Sequence, residues 1–521
     1  MAVLKDLEPK KVFGYFEKIA SIPHGSRNTK RISDYLVSFA KDKGLKYIQD
    51  EAGNVIIFKD GTKGYENSPS VIIQGHMDMV CEKTQDSDIN FEKDGLKLAK
   101  TDEYIYAEGT TLGGDDGIAV AFALAILDSD DIPHPPLEVV ITVDEEIGML
   151  GASALDCSKL KSKIMLNLDS EDEGQLLVSC AGGATVTLRY PAPVQPVRPS
   201  HDGLLKGIID DDSYFRVKLS VTGVTGGHSG IEIHKQGANA DMVLGRALNY
   251  LNRSEDVYIN LVELWGGLKD NAIPKEAHAV FDVYLDEDTP EEIEFVQRVL
   301  QDKVAALDKI LKKEYKKTDP DIKLSVERIM VTDETPEDEM VNFSADYKNP
   351  TDEFVTILAA VPNGVKKMSQ DINGLVQTSL NLGIMSTDKI ALNREIKMVF
   401  SIRSSVSSEK EELIDIIGAL AKIFDGTIKV TGDYPAWEYT EDSKLRNIMY
   451  DAYVDLFGEK PTIEAVHAGL ECGIFAGKIK DLDCVSIGPR MEAIHTTDEK
   501  LYIKSTKKYW DYVLEILKRL K

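Results

Sequence analysis

The chain has 521 residues, more than one ordinary hydrophobic core holds, so two or three domains are expected. Apolar residues make up 43% and charged residues 29%, which is typical of a globular protein, and no stretch approaches the roughly 20 apolar residues of a membrane span. The formal net charge of −27 disfavours nucleic acid and anionic membranes as partners, because both repel an acidic surface.

The start of the chain and its cysteines indicate a cellular compartment. The opening segment, MAVLKDLEPKKVFGYFEKIA, has the pattern of an amphipathic helix and lacks the apolar centre of a signal peptide. The five cysteines are scattered singly with no CxxC pair, so the sequence predicts neither a disulfide framework nor a thiolate zinc site. We therefore expect a cytoplasmic location.

Helix-like and strand-like segments alternate from about residue 8 to residue 185. This order predicts an α/β unit around a largely buried sheet. The helical segments are VFGYFEKIASI, TKRISDYLVSFAKDKG and the nearly all-apolar GIAVAFALAILDS, and the strand segments are NVIIFK, SVIIQGHMD, LEVVITVDE and KIMLNLDS.

A proline-rich segment, RYPAPVQPVRPSHDG, follows this unit and carries four prolines between residues 191 and 199. That density favours a linker or an edge hairpin over a central strand. Residues 186–434 then show two similar strand and helix successions, which predict one α+β domain. The α/β pattern returns after Tyr434, so residues 1–185 and 435–521 are expected to form a discontinuous domain that carries the other as an insertion.

Acidic and histidine side chains follow successive predicted strands of the α/β unit. Ligands of such sheets gather at the carboxyl ends of the strands, so these side chains are expected to converge. A bound cation would neutralise the crowded carboxylates, and Zn²⁺ binds mixed sets of histidine and carboxylate ligands. Two such ions about 3.5 to 4 Å apart, which share a bridging carboxylate, form a known hydrolytic arrangement. The residues are His76 and Asp78, Asp115 and Asp116, Glu145 and Glu146, Asp169, and, far downstream, His495.

Each of these pieces has a plainer interpretation when taken alone. GGDDG is compatible with an acidic turn that caps the following helix, and DEE with a solvated turn. Their recurrence at four successive strand ends favours the metal site.

The motifs GHMDMV, TLGGDDGI, DEEIGMLGA, GGHSG and HAGLECG resemble those of the dinuclear zinc peptidase family that includes aminoacylases, glutamate carboxypeptidases and carnosinase-like dipeptidases. The resemblance runs essentially from end to end. It implies an α/β zinc-peptidase catalytic domain with a mixed, mostly parallel sheet flanked by helices, formed by residues 1–185 and 435–521. It also implies that residues 186–434 are an inserted α+β lid domain for substrate recognition.

The resemblance implies two Zn²⁺ per subunit, with Mn²⁺ or Co²⁺ as substitutes. It makes Glu145 the general base and Asp78 the carboxylate that orients the ring of His76. It also implies a cis peptide bond between Asp115 and Asp116. The implied metal ligands are Asp115 as the bridge, His76 and Asp169 on one zinc, and Glu146 and His495 on the other.

Further residues of the resemblance are implied to contact the substrate. His228 would polarise the scissile carbonyl, often from the second subunit of a homodimer, and Asn271 would be a similar contact. Arg403 would grip the C-terminal carboxylate together with the backbone of Gly469. Without the resemblance, His228 is an ordinary loop histidine and Arg403 a strand-end arginine facing water. The neighbouring His467 and Glu471 have no assigned role.

The function implied is hydrolysis of dipeptides with free termini, Xaa-His and broader, by a water activated between the metals. An N-acyl amino acid amidohydrolase or a carboxypeptidase would use the same metals and is the nearest alternative. A non-catalytic metal-binding regulatory protein is the alternative of another class, and Glu145 beside a full ligand set disfavours it. The expected lid would hinge near residues 191–199 and 433–435.

Overall fold

The structure is a computed structural model that describes residues 3–200, 203–208, 212–332, 334–344, 349–390 and 393–521. Its helices are α1 (Lys10–Ala20), α2 (Lys30–Asp42), α3 (Gly114–Leu127), α4 (Leu150–Ala154), α5 (Ala240–Asn252), α6 (Pro290–Glu314), α7 (Pro350–Ala360), α8 (Ser407–Ile423), α9 (Lys444–Phe457), α10 (Glu471–Lys478) and α11 (Ile503–Arg519). Short 3₁₀ turns cover Cys157–Lys159, Ile233–Lys235 and Glu337–Glu339.

The strands of the first half of the chain are β1 (Lys46–Gln49), β2 (Val55–Lys59), β3 (Val71–His76), β4 (Leu98–Lys100), β5 (Tyr104–Ala107), β6 (Leu137–Thr142), β7 (Ile164–Asn167), β8 (Gln175–Cys180), β9 (Gly182–Ala192), β10 (Val194–Pro199), β11 (Leu204–Gly207), β12 (Ser213–Thr222) and β13 (Gly227–His228). Those of the second half are β14 (Ile259–Gly266), β15 (Ala272–Ile273), β16 (Ala277–Leu285), β17 (Lys323–Ile329), β18 (Val341–Phe343), β19 (Gly364–Met368), β20 (Val376–Ile390), β21 (Asn393–Ser404), β22 (Thr427–Tyr434), β23 (Thr462–Val466), β24 (Asp483–Ser486), β25 (Met491–Glu492) and β26 (Lys500–Tyr502).

The chain divides into two compact units. The first unit contains the residues up to Ala181 together with Pro435–Lys521, and the second contains Gly182–Tyr434. The chain therefore passes between the units after Ala181 and again after Tyr434.

The first unit is built on an eight-stranded sheet in the order β1-β2-β6-β3-β7-β24-β8-β23. Strand β3 pairs in parallel with β6 and β7, and β7 pairs in parallel with β24, whereas β2 is antiparallel to β6. Strands β3 and β6 are buried along their full length, which explains their nearly continuous apolar sequences. The prediction of a mixed, mostly parallel sheet flanked by helices is confirmed.

Helix α3 is buried at every position and packs against α1 and β3. A helix that is apolar on all sides is stable in water only when it is covered on all sides, as this one is. Its first residues, Gly114 to Asp116, therefore lie beside the carboxyl end of β3.

The parallel register aligns the carboxyl ends of three neighbouring strands. His76, the last residue of β3, pairs with Thr142 at the end of β6, and Gln74 of β3 pairs with Asn167 at the end of β7. The loops that follow these strands therefore begin at one edge of the sheet, where ligands of α/β folds bind.

The second unit is built on a twelve-stranded antiparallel sheet in the order β18-β10-β11-β12-β16-β14-β20-β21-β9-β22, with β17 on β12 and β19 on β20. Helices α5, α6, α7 and α8 bury apolar residues against this sheet, among them Leu244, Leu300, Phe354 and Ile417. The unit thus has the α+β character expected for the middle of the chain.

Of the two interpretations of the proline-rich segment, a linker or an edge hairpin, the linker is wrong, whereas β10 does pair with β11 one strand from the edge of the sheet. Strand β9 lies between β21 and β22, and β10 lies between β11 and β18. Pro191 lies beyond the stretch of β9 that β22 pairs, so at Pro191 the strand has one neighbour, where a missing N–H is tolerated. The end of the segment, at 201–202, lies outside the described residues. The expected hinge at 191–199 is likewise inside the second unit.

Across the described parts of the chain, each helix is either too short or too polar to span a membrane.

Candidate active site

His76 stands at the end of β3 with its ring almost completely buried, 1% exposed. Its Nε2 atom is 3.1 Å from Oδ1 of Asp115 and 3.6 Å from Oδ1 of Asp169. Its other ring nitrogen, Nδ1, is 3.0 Å from the backbone oxygen of Asp78, which fixes the orientation of the ring. One imidazole nitrogen therefore faces two carboxylates.

Asp115 occupies the start of α3, where its backbone is not helical (φ −81°, ψ 105°) and where the peptide bond to Asp116 is cis. Its second oxygen, Oδ2, is 3.0 Å from Nε2 of His495. The same nitrogen of His495 is 3.0 Å from Oε2 of Glu146. Each oxygen of Asp115 thus faces one imidazole, and each imidazole faces one further carboxylate.

Asp78 fixes the backbone of the loop that contains Glu145 and Glu146. Its Oδ1 accepts a hydrogen bond from the backbone N–H of Glu145 (3.0 Å), and its Oδ2 accepts one from that of Glu146 (3.3 Å). Ser26 donates a third hydrogen bond to Oδ2 (2.8 Å). The preceding Asp144 accepts from the backbone N–H of Arg27 (2.6 Å), so the three consecutive acids differ in their surroundings.

The electrostatics of the cluster reflect an excess of buried negative charge. Burial raises the pKa of Glu145 well above its ordinary value, and the negative charges of Asp169, Glu471 and Glu146 add to that rise. Burial also raises the pKa values of Glu146 and Asp169. A cation placed among these oxygens would reverse that trend.

The donor set fits a divalent transition metal. It combines imidazole nitrogens with carboxylate oxygens, which zinc and its neighbours accept. Hydrogen bonds to Asp115 and Glu146 raise the pKa of His495 to about 11. The two carboxylates therefore favour a positive charge at this position, which a proton supplies here and a metal ion would supply when bound. Oε1 of Glu146 is buried and, among the described residues, receives no hydrogen bond, which leaves it available as a ligand.

Two overlapping groups of three residues have ligand atoms within 4.8 Å of one another: His76, Asp116 and Asp169, and His76, Asp115 and Glu146. Asp116 was not among the expected ligands. Its Oδ2 accepts a hydrogen bond from the backbone N–H of His76 (3.1 Å), whereas both histidine Nε2 atoms face Asp115. The histidine contacts therefore favour Asp115 as the central ligand.

A buried polar network lies beneath this cluster and includes Glu471, whose role the sequence left open. Glu471 is 0% exposed, and its Oε2 accepts hydrogen bonds from Gln74 (2.5 Å) and Thr142 (2.6 Å). Gln74 in turn accepts from Asn167 (2.5 Å), so the network joins β6, β3 and β7. Burial raises the pKa of Glu471 to about 8. The sequence signal for it is an acid at the start of helix α10, directly before a run of uncharged residues.

Gly469 and His467 lie in the segment between β23 and α10, within the first unit. The backbone oxygen of the intervening Ala468 accepts a hydrogen bond from the N–H of Ala181 (3.0 Å). The segment is therefore anchored beside the end of β8.

The second unit brings together His228 and Asn271. Strand β13, which ends at His228, pairs with β15, and the N–H of Ser229 donates to the backbone oxygen of Asn271 (2.9 Å). Nδ1 of His228 accepts hydrogen bonds from the N–H groups of Gly230 (3.1 Å) and Ile231 (3.2 Å). In the neutral ring the proton is therefore on Nε2, which makes that atom a hydrogen-bond donor.

Arg403 lies near this pair, on strand β21. Burial lowers the pKa of His228, and the positive charge of Arg403 lowers it further, which keeps the imidazole neutral. The guanidinium of Arg403 donates to the hydroxyl of Tyr434 (3.3 Å) and is half buried.

The structure thus gathers one set of the expected site residues in the first unit and another in the second. In the first unit are His76, Asp78, Asp115, Glu145, Glu146, Asp169, Gly469 and His495, and in the second are His228, Asn271 and Arg403.

A cluster of two histidines, one buried and one exposed, with mostly buried carboxylates at the carboxyl ends of parallel strands and a further glutamate beside it, defines a metal-dependent hydrolase of the α/β class. Residues 72–519 match the model of "Peptidase family M20/M25/M40", and the chain belongs to this peptidase family. The family resemblance read from the motifs is confirmed.

Among its relatives, the chain is 35% identical over 521 residues to the cytosol non-specific dipeptidase of Escherichia coli (strain K12), covering 100% of this chain and 99% of the relative. The crystal structure of aminoacylhistidine dipeptidase from Vibrio alginolyticus superposes with a TM-score of 0.85 at 33% identity, covering 99% of this chain and 98% of that one. The aminopeptidase PepT of Bacillus cereus, at 15% identity, TM-score 0.53 and 99% of both chains, shares the fold.

Proposed function

We propose that this protein is a metal-dependent dipeptidase that hydrolyses dipeptides with free termini, including Xaa-His dipeptides. The observation that carries the proposal is the arrangement around Asp115, whose two oxygens each face a histidine that is paired with one further carboxylate. Its support is the similarity of the whole chain to two proteins that are named as dipeptidases.

The proposed cofactor is two Zn²⁺ per subunit, with Mn²⁺ or Co²⁺ as substitutes. His76 and Asp169 would hold one ion and Glu146 and His495 the other, with Asp115 between them. When bound, such ions supply Lewis acidity, which polarises the peptide carbonyl and lowers the pKa of water.

The protein side chains would transfer the proton and orient the catalytic and metal-binding residues. Glu145 accepts a proton from the attacking water and returns it to the leaving amine. Asp78 holds the backbone of Glu145 in place and orients His76. No covalent enzyme intermediate is required.

The second unit is proposed to recognise the substrate as a lid. His228 would donate from Nε2 to the scissile carbonyl oxygen as negative charge develops there, in its own subunit or across a homodimer. Asn271 would make a similar contact, and Arg403 would bind the C-terminal carboxylate with the backbone of Gly469. Sedimentation equilibrium tests the dimer, and a monomeric mass would contradict it. A cytoplasmic location is proposed because the E. coli relative is named as cytosolic.

The substrate class is tested by a panel given to zinc-loaded protein: an Xaa-His dipeptide, other dipeptides, a tripeptide, an N-acetylated dipeptide and an N-acyl amino acid. We expect the free dipeptides to be cleaved, and the N-acetylated dipeptide to react roughly 10- to 100-fold more slowly because a charge-assisted contact to the amine is lost.

Preference for the N-acyl amino acid would instead identify an amidohydrolase, and release of C-terminal residues from longer peptides would identify a carboxypeptidase. Metal binding without any turnover would favour the regulatory protein. The Glu145→Gln variant, prepared in the same way, controls for contaminating peptidases.

A further inference from the structure

Glu499 is a buried carboxylate outside the ligand set, 3% exposed and four residues after His495. It accepts hydrogen bonds from three consecutive backbone N–H groups, those of Leu112 (2.7 Å), Gly113 (3.3 Å) and Gly114 (2.8 Å). These are the residues that immediately precede Asp115. A carboxylate that accepts hydrogen bonds from several backbone N–H groups fixes the conformation of the segment to which those groups belong.

The two glycines permit this close approach. Gly113 has φ +65°, a conformation that L side chains rarely adopt. A Cβ atom on Gly114 would lie 3.2 Å from Oε1 of Glu499 and 3.0 Å from Sδ of Met491. The glycine pair of the LGGDD motif therefore lets the loop close on the Glu499 carboxylate.

The other end of this connection is the turn that carries His495. The N–H of Glu499 donates to the oxygen of Thr496, and the N–H of Thr496 donates to that of Ala493, both at 3.3 Å. His495 itself has φ +61°, and its side chain is 45% exposed, whereas that of His76 is 1% exposed. Packing therefore holds His76, but His495 depends on the turn that ends at Glu499.

We propose that Glu499 is a positioning residue that joins the segment of Asp115 to the turn of His495 and thereby sets the affinity of the metal site formed by Asp115, Glu146 and His495. The inference rests on the proposed two-ion function and adds a residue that touches neither metal nor substrate. It distinguishes the two ions, because both would share Asp115 but only one would be bound by His495, whose turn ends at Glu499. His76, on the other ion, is held by burial and by Asp78.

The chain offers a matched control in Glu138 of β6. Glu138 is 4% exposed and accepts hydrogen bonds from the backbone N–H groups of Lys161 (3.0 Å to Oε2) and Ser162 (3.2 Å). It has the same chemistry as Glu499, but it lies near the start of β6, away from the carboxyl ends of the strands. Glu138→Gln therefore reports the general effect of removing a buried carboxylate that binds backbone N–H groups.

The experiment titrates Zn²⁺ into metal-free wild type, Glu499→Gln and Glu138→Gln in competition with a chromophoric chelator. Burial raises the pKa of Glu499 to about 7 against the opposing effect of its N–H donors, so the titration is done at pH 8 to favour the carboxylate. We expect Glu499→Gln to weaken the binding of the ion at Glu146 and His495 by roughly 10- to 100-fold, the usual effect of losing a group that orients a ligand. The other ion should be weakened less, because Asp115 is the only ligand that the two ions share. His495→Ala should lose the same ion, and Glu138→Gln should bind both as wild type does.

Unchanged affinity for both ions in Glu499→Gln, or equal weakening of the two ions in that variant, would overturn the inference. The same weakening in Glu138→Gln would overturn it as well. Urea unfolding of the metal-free proteins shows whether the two variants lose similar stability, and Glu499→Asp, too short to reach the loop, replaces Glu499→Gln if the latter does not fold. A wild-type protein that binds fewer than two ions would instead contradict the proposed function, so the two failures are distinguishable.

Discussion

Glu145 and Glu146 are adjacent in the chain, yet their surroundings differ. Asp78 accepts a hydrogen bond from the backbone N–H of each, but Glu146 also places Oε2 3.0 Å from Nε2 of His495, within the ligand cluster. In the metal-free protein, burial and the neighbouring carboxylates raise the pKa of Glu145. The two residues should therefore fail in different ways when they are replaced.

Glu145→Gln is expected to lower kcat by at least ~100-fold, the size of a general-base contribution, with little change in metal content. Glu146→Ala is expected to lose metal. Steady-state kinetics and elemental analysis of the same preparations measure both quantities. If Glu145→Gln lost its metal while Glu146→Ala kept it, the assignment of the two roles would be reversed.

Asp241, in α5 of the second unit, is a carboxyl group that folding should keep neutral. It is 0% exposed, and no described residue donates a hydrogen bond to either of its oxygens. A Cβ atom on Gly266 would lie 1.7 Å from its Oδ1, so the group is enclosed by backbone. Burial raises the pKa of Asp241 well above its ordinary value of 3.8.

A raised folded-state pKa means that the contribution of Asp241 to stability is complete below pH 3.8 and is lost as the pH rises toward the folded-state value. The loss of stability amounts to about 1.4 kcal/mol for each unit of the pKa shift, and Asp241→Asn removes it because the amide does not ionise. We expect the free energy of unfolding of Asp241→Asn, relative to wild type, to increase between pH 5 and pH 8 in urea titrations of metal-free protein. A difference that stays constant with pH would contradict the argument.

At the scale of the elements, the sequence predicted the helices and strands whose position depends on their own hydrophobic pattern. The apolar runs of β3 and β6, and that of α3 after Asp116, could be identified from the sequence because each of these elements is buried. The strands at 182–199 could not be predicted in this way. A strand tolerates Pro191 only where one of its sides is unpaired, and this depends on where β22, more than 200 residues away in the chain, stops pairing with β9.

Strand β21 carries Arg403, for which a role in substrate binding is predicted. Arg403→Ala should raise KM for dipeptides by the equivalent of about 1.5 to 3 kcal/mol, because a charge-assisted contact to the terminal carboxylate is lost. A dipeptide amide should be affected far less. The comparison of KM for the two substrates is the measurement.

Arg189→Ala is the matched control for Arg403→Ala. Arg189 lies on the adjacent strand β9, beyond the residue that pairs with Arg403, and its partner is Glu395. Its replacement should leave KM for both substrates unchanged. Equal losses on the dipeptide and on its amide in Arg403→Ala would show that Arg403 does not read the carboxylate.

For the molecule as a whole, the sequence indicated which acids and histidines lie close together, but not the buried residues that support them. His76 and Asp169 lie at or just after strand ends, and Asp115 is at the start of the helix that packs on β3, so the fold topology brings the three together. Glu471 and Glu499 could not be assigned, because their partners, such as Thr142 and Leu112, are more than 300 residues distant and carry no motif. Whether the second unit acts as a lid stays a prediction.

The central claim is that peptide hydrolysis depends on metal held around Asp115. It is tested most directly by assaying an Xaa-His dipeptide with protein that has been stripped by a chelator, dialysed, and then titrated with Zn²⁺, Mn²⁺ or Co²⁺. The account predicts that activity is abolished by stripping and restored as metal binding approaches two ions per chain, and that His495→Ala is not restored. Full activity in the stripped, metal-free protein would contradict it.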